Sequence, residues 1–410
     1  MASFPKLLVA TECPPNSAGG GAAVIRQMLR DWPAERLFWW SCLPDRNKHF
    51  GREVAAHCVA RIPPKFYPQR RWCRQKSWVL KKIWTPWATR HFRKTLDTLK
   101  PDVVWVIPHA WAIPPLAHVL SNARIGFHVT MQDFMDSNGY LARYGTDRCR
   151  LWTKQVEQLY RSATTRDATS LPMMTDLHAH TGAAAAQMLH AGLEEEDFEH
   201  LAKTLDKRTN GIRIAYAGTV IAEREFTLFV QALTQIRRRL AAPVCLDFFG
   251  DHSYHAREWF DATCMREHGN LPAAELLLAL RDCTWGFSPM ELTDDNPRYN
   301  RFSFPTKFIS YLAAGLPVIT LGHPESSVVK MAQAYRVGLC VTSNDPDVLA
   351  RELLVALSDP NARLKYGPEI LRCAQTEFDA RRMRKTLYDC FRQCADRTGR
   401  VRLRPRRDTA

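Results

Sequence analysis

Short apolar runs alternate with longer amphipathic stretches along most of the chain. "KLLVATE" (6–12), "RLFWWSCL" (36–43), "PDVVWVIPHA" (101–110) and "ARIGFHVTMQDF" (123–134) have the length and the β-branched or aromatic content of buried strands. A helix is expected from about Ala22 to Asp31. A second series starts at "IRIAYAGTV" and continues through a helix in "FTLFVQALTQIRRRL", a strand in "VCLDFFGD", a helix in "AAELLLALRDC" and a strand in "TWGFSP". "NDPDVLARELLVALSDP" is a further helix, and a last helical run extends from about Pro368 to Cys394. Strands alternating with helices predict an α/β chain with parallel, doubly wound sheets. In such sheets ligands gather at the carboxyl ends of strands. That draws attention to the loop Gly19-Gly20-Gly21 and to Gln132-Asp133.

The stretch "SFPTKFISYLAAGLPVI" (303–319) has the densest pattern. Phe308, Tyr311 and Leu312 share one helical face; Gly315 fits a helix stop and Pro317 bars continuation. Val318 to Leu321 then form a short buried strand. A turn running into a helix presents free backbone N–H groups, and Lys307 adds positive charge, which together suit a phosphate. An ordinary helix–strand unit with a surface lysine is the competing reading.

Composition narrows the class. The chain has 410 residues, 46% hydrophobic and 24% charged, enough for two or three domains of soluble type. No eighteen-residue apolar run spans a membrane, and the N-terminus lacks the basic leader of a signal peptide. The twelve cysteines form no CxxC pair or zinc-type cluster, which suits reduced thiols in a cytosol and implies no metal. The net charge of +15 is uneven. Between Glu53 and Asp97 there is no acidic residue, while Arg61, Lys65, Arg70, Arg71, Arg74, Lys76, Lys81, Lys82, Arg90, Arg93 and Lys94 intermingle with Trp72, Trp78, Trp84 and Trp87. Residues 61–94 therefore suit an anionic membrane surface; nucleic acid and a plain solvated face are the alternatives. The basic tail 395–410 reads as disordered.

Several motifs of the second series belong together. "IAYAGTVIAERE" places Gly218 after a strand and Arg224 at a helix entrance; "FFGD" places Gly250; "FSPMEL" and residues 303–319 follow in order. With the first glycine loop, "MQDF" and "QMLHAGLEEEDF", this arrangement resembles a GT-B glycosyltransferase of the family 4-like retaining type, over about residues 6 to 394.

The resemblance implies two Rossmann-like domains facing across a cleft, an acceptor domain over 1–192 and a nucleotide-sugar domain over 211–367. It also implies a linker over 193–210 and a crossing helix over 368–394. Donor contacts would come from Gly20, Gly21, Gly218, Thr219, Arg224, Gly250, Ser303, Pro305, Thr306, Lys307 and Ser310. Arg224 stands where the family has a phosphate-binding lysine, so Arg224 and Lys307 would meet charge on the leaving diphosphate without metal or cofactor. The acceptor would be lipid-linked or a polysaccharide, in the cytoplasm or peripherally on the inner face of a membrane. Asp133 would orient or deprotonate its hydroxyl, although an aspartate after a strand also suits a helix cap. His109 is either a cleft residue or a strand-end surface histidine.

The chain departs from the family where it has Thr219 in place of a basic residue, and where the paired glutamates would fall on Phe302 and Ser310. Glu291, Asp294 or Asp295 could substitute, or belong to a flexible loop. A nucleotide-sugar epimerase and a non-catalytic membrane- or glycan-binding subunit are the alternative functions.

Overall fold

The computed structural model describes residues 4–17, 20–43, 53–64, 73–204 and 211–403. The chain forms two compact units, Met1–His190 with Arg382–Ala410, and Ala191–Arg381.

In the first unit the elements run β1 (Leu7–Thr11), α1 (Gly20–Met28), β2 (Leu37–Ser41), β3 (Ala56–Val59), α2 (Cys73–Val79) and α3 (Thr85–Leu99). They continue as β4 (Val103–Ile107), α4 (Ile113–Leu120), β5 (Phe127–Met131), α5 (Asn138–Tyr144), α6 (Thr146–Ser162), β6 (Thr165–Ala168) and α7 (Leu171–Thr181). A single π-helical turn, Leu80–Trp84, joins α2 to α3. The sheet order is β3-β2-β1-β4-β5-β6, and every pair is parallel. Register places Val9 beside Trp39 on one side and Trp105 on the other. β1, β4 and β5 are buried along their whole length, as parallel strands covered on both faces must be. Trp39, Trp40, Trp105, Trp152 and Phe92 fill the core around them.

The second unit begins with α8 (Glu195–Thr204), β7 (Ile212–Ala217), α9 (Glu223–Ile236), β8 (Val244–Phe249), β9 (Met265–Glu267), α10 (Ala273–Arg281) and β10 (Trp285–Pro289). It continues with α11 (Pro297–Phe302), α12 (Thr306–Ala313), β11 (Val318–Leu321), α13 (Ser327–Tyr335), β12 (Gly338–Val341), α14 (Pro346–Leu357) and α15 (Ala362–Glu377). Its order, β12-β11-β10-β7-β8-β9, repeats that of the first unit, so both have Rossmann-like topology. Tyr216, Phe226, Phe229, Phe248 and Phe287 form its aromatic core.

The chain then returns to the first unit as α16 (Ala380–Leu403). Phe391 of that helix packs against Trp32, Trp105 and His128.

Three boundaries differ from those expected. The stretch 193–210 is not a bare connection: α8 packs on α12 and α15 within the second unit. The expected single helix 368–394 is two helices. Pro368 lies inside α15, and the break comes at Phe378 and Asp379. There the Phe378 carbonyl accepts from the Leu193 N–H (2.7 Å) and the Ala380 N–H donates to the Leu193 carbonyl (3.0 Å), so strand-like pairing replaces the helical ladder. The tail assigned to 395–410 is helical as far as Leu403, and Thr398 accepts from the Gly126 N–H at 2.8 Å. That helix end carries no apolar stripe, and it is held by a backbone-to-threonine bond that periodicity does not register.

Candidate functional site

The central strands of the second unit splay apart at their carboxyl ends. β7 and β10 pair only through Ile214 with Trp285 and Ala215 with Gly286. Beyond that point the Tyr311 hydroxyl stands between them, accepting from the Ala217 N–H (2.9 Å) and donating to the Phe287 carbonyl (3.1 Å). The Tyr311 ring passes so close to Gly286 that any β-carbon there would overlap it. This is the topological switch point of the sheet, where doubly wound folds place ligands.

Lys307, in the first turn of α12, reaches over this opening. Its Nζ lies 3.8 Å from the centroid of the Tyr216 ring, one residue from the end of β7. The residue keeps some exposed surface, but its ammonium is withdrawn from water, and burial lowers its pKa from 10.5 to about 7. Pro305 is the N-cap of α12, and Ser310 turns its hydroxyl back to the Thr306 carbonyl at 3.4 Å. The Ser303 carbonyl accepts from the Ser327 hydroxyl. At the far end Gly315 has φ +68°, its N–H bonds the Leu312 carbonyl and that of Leu316 bonds the Tyr311 carbonyl, each at 2.9 Å. That Schellman stop fixes the helix that carries Lys307.

The glycine turns complete this cluster. Gly218, at φ +92°, donates to the Phe249 carbonyl at 2.7 Å, and a β-carbon on Gly250 would stand 3.1 Å from the Gly218 oxygen. Thr219 joins Tyr216 through its carbonyl (2.9 Å) and His252 through its hydroxyl (3.2 Å). Gly218, Thr219, Gly250 and Lys307 thus gather around Tyr216. Arg224 is exposed on the first turn of α9 and touches none of them through a hydrogen bond or ion pair. Its neighbour Glu225 is buried and accepts from the Leu292 N–H at 2.9 Å. Burial, then the charges of Glu225 and Asp295, raises the pKa of Glu291. Asp294 instead pairs with Arg301 at 3.8 Å. No motif in the sequence singles out Glu225 beside Arg224; the helix phase that turns it inward is its signal.

The first unit has its own cluster at the carboxyl ends of β1, β4 and β5. Glu12 directly follows β1 and accepts from the Trp111 N–H at 3.3 Å. Burial raises its pKa, against His109, that hydrogen bond and Arg143, which lower it. His109 Nε2 lies 3.7 Å from Asp133 Oδ2, with the histidine side chain 15% exposed and the aspartate 49%. His109 is therefore part of a polar cluster and not a free surface residue. Asp133 is not a helix cap, since α5 begins at Asn138 with Ser137 as its N-cap. Tyr140 is pushed well up by burial, then by Asp133 and Glu12, and burial and Glu12 raise Cys13 to about 11.

Gly21 lies against this cluster: a β-carbon would stand 2.5 Å from Gln132 Oε1, and the Gln132 amide donates to the Gly21 carbonyl at 3.3 Å. Gly20 opens α1, and Gly19 lies outside the described residues. Ala110, next to His109, has φ +36°, a costly backbone for a residue with a β-carbon. Glu12, His109 and Asp133 thus set two carboxyl groups in unlike settings beside one histidine. Glu12 was the member missed, although an acid placed directly after a fully buried strand was legible. Among the described residues no group of three or more His, Cys, Asp or Glu side chains could hold a metal ion.

No family model matches the sequence, and no curated protein shows significant similarity to it. Solved structures do. Sucrose-phosphate synthase from Thermosynechococcus elongatus superposes with a TM-score of 0.68 at 14% identity, over 95% of this chain and 99% of that one. HepE from Anabaena, in complex with UDP and glucose, gives 0.63 at 12%, over 94% and 98%. The α,α-trehalose 6-phosphate synthase from Burkholderia multivorans gives 0.63 at 12%, over 99% and 100%. At such identities the likeness is one of fold, and with two six-stranded parallel sheets of the same order the chain has the GT-B fold.

Proposed function

We propose that the chain is a retaining glycosyltransferase that moves a sugar from a nucleoside diphosphate donor to a lipid-linked or polysaccharide acceptor. The observation that carries this is Lys307, a withdrawn ammonium at the switch point of the second sheet, beside two glycine turns that let a ligand approach the backbone. HepE is described with UDP and with UDP-glucose, which supports a uridine diphosphate sugar as the first donor to try.

As the glycosidic bond breaks, its electron pair passes to a diphosphate oxygen. A cation fixed there stabilises the transition state more than the ground state. Lys307 serves that oxygen, the α12 N-terminus with Pro305, Thr306 and Ser303 lies along the phosphates, and Arg224 reaches them from α9. Gly218, Thr219 and Gly250 admit the donor to the strand ends, and Ser310 takes the place from which the family's glutamate holds the ribose. In the first unit, Asp133 and His109 orient the acceptor hydroxyl and take up its proton, with Glu12 in electrostatic reach of the histidine. Gly21 makes room for the Gln132 side chain beside Asp133.

The test is a thermal-shift panel of nucleotide sugars followed by turnover with the donor that binds. A ligand that binds only the folded state raises the melting temperature. Lys307→Ala is expected to keep the fold and lose about 2–4 kcal/mol of transition-state stabilisation. Parent-like turnover by that variant would sink the phosphate assignment. Donor binding without any transfer would identify a non-catalytic subunit.

A further inference from the structure

We propose that the outward face of α2, the π turn and α3 docks on an anionic lipid bilayer. The segment is amphipathic in an unusual sense, because its water-facing side carries large apolar groups. Trp78 is 58% exposed, Ile83 60% and Trp87 45%. The other large exposed apolar side chains described stand one to an element, the ordinary scatter of a soluble surface. Here three gather on one continuous helical segment.

The π turn brings Trp78 and Ile83 nearer to one face. Trp78 and Ile83 are five residues apart, which on an α-helix would point them well over a quarter-turn from each other. The wider turn at Leu80–Trp84 shortens that angle while sending Leu80 and Trp84 to the core. The turn is held locally: the Thr85 hydroxyl and the Thr85 N–H both go to the Leu80 carbonyl, the former at 2.9 Å, and Trp84 Nε1 donates to the Arg61 carbonyl at 3.2 Å. The inner face is closed by Ala88, Phe92 and Thr95. Trp78, Ile83 and Trp87 are thus presented by a helical segment whose opposite face is buried.

Charge selects the occupant. Lys82, Arg90 and Lys94 are exposed on the same segment, and no acidic residue interrupts the sequence from Glu53 to Asp97. Basic side chains flanking tryptophans suit the headgroup level of an anionic membrane, where indole rings insert and ammonium groups stay wet. Single-stranded nucleic acid would use the charges and the rings, but it offers nothing to the exposed aliphatic side chain of Ile83. Lys65, Arg70, Arg71 and Trp72 of the wider basic stretch lie outside the described residues. This surface is independent of the transferase reading, since its readout involves no sugar.

The experiment is co-sedimentation of the full chain with phosphatidylcholine vesicles, with and without phosphatidylserine, across a salt series. The parent is expected to bind the anionic vesicles and to release as salt rises. Lys82→Ser, Arg90→Ser and Lys94→Ser together should weaken binding at least about tenfold and flatten the salt dependence. Trp78→Ala, Ile83→Ala and Trp87→Ala should weaken it while leaving the salt slope, because salt does not screen insertion. Parent-like melting of both variants shows that the fold is kept. If either unfolds, quenching of the parent's tryptophan emission by brominated acyl chains, reduced in Trp78→Phe with Trp87→Phe, decides instead. Equal binding to both vesicle types, binding to neither, absent quenching, or preference for single-stranded RNA would overturn the proposal.

Discussion

Lys307 sits in surroundings that conflict with its charge. Withdrawal over Tyr216 lowers its pKa to about 7, so between pH 7 and 10.5 the folded chain holds fewer protons than the unfolded one. Stability contributed by this site therefore rises with pH across that window, and the cost of burying the ammonium is greatest below it. Lys307→Met should raise the melting temperature at about pH 6, with the gain shrinking towards about pH 10. Partial exposure screens the effect, so the trend and not its size is the test. A diphosphate would restore the charge and draw in a proton. Affinity for a nucleotide sugar should then fall as pH rises above about 7 in the parent and stay level in Lys307→Met. Level affinity in the parent would show that the lysine does not meet the donor. Asp133 makes a separate prediction at the same scale. Asp133→Asn keeps its size and its contact with His109 but loses the charge, so donor-induced thermal shifts should persist while transfer is lost. Transfer at the parent rate would return Asp133 to a bystander.

Helices and strands were legible in proportion to how much of their stability comes from burial along their own length. β1, β4, β5, β7, β8 and β10 are apolar runs covered on both faces, and pattern alone places them. β3, β6, β9 and β12 are three- or four-residue strands toward the sheet edges, only partly buried, and β6 even carries Arg166 and Asp167. Nothing in such segments resembles a core strand, because their neighbours and not their own composition create them. α12 is the opposite case. Its apolar face, its stop at Gly315 and the strand beyond were all readable, and the Schellman bonds match that pattern. What stayed hidden was the reason for the helix's exact seat, the Tyr311 hydroxyl wedged between β7 and β10 and the bare Gly286 that lets the ring through. Gly315→Val should cost about 1–2 kcal/mol through the left-handed backbone alone. Gly286→Ala should cost more than that, since the backbone and a buried ring must both move. Denaturant midpoints of the two variants decide the order, and a parent-like Gly286→Ala would show that Tyr311 is not locked in place.

On the scale of the whole molecule, the chain leaves the second unit to complete the first. α16 lays Phe391 against Trp105 and His128, and Gly126 comes so close to the Cys394 carbonyl that a β-carbon would overlap it. Beneath that helix His128 and Asp167 are fully buried, 3.0 Å apart, with His128 Nδ1 also 2.8 Å from the Thr165 hydroxyl. Burial opposes a charge on the imidazole, but Asp167 more than offsets it, and with help from Cys390 the pKa rises from 6.5 to about 9. A histidine raised in this way contributes stability that is complete below pH 6.5 and lost as pH climbs through 9. The gap in pKa corresponds to about 3 kcal/mol. The trend runs opposite to that of Lys307, so the two are separated by comparing variants and not by the parent's profile alone. The difference in stability between the parent and His128→Gln should be large at about pH 6 and shrink by about pH 10, whereas the Lys307 contribution cancels from it. Because α16 covers this pair, proteolysis within 382–403 should follow the same pH course in the parent. A difference between parent and His128→Gln that does not change with pH would mean the imidazole is neutral under α16, and the helix would then be held by its other contacts, Phe391 on Trp105, the Arg384–Asp31 pair and the Gly126–Thr398 bond among them.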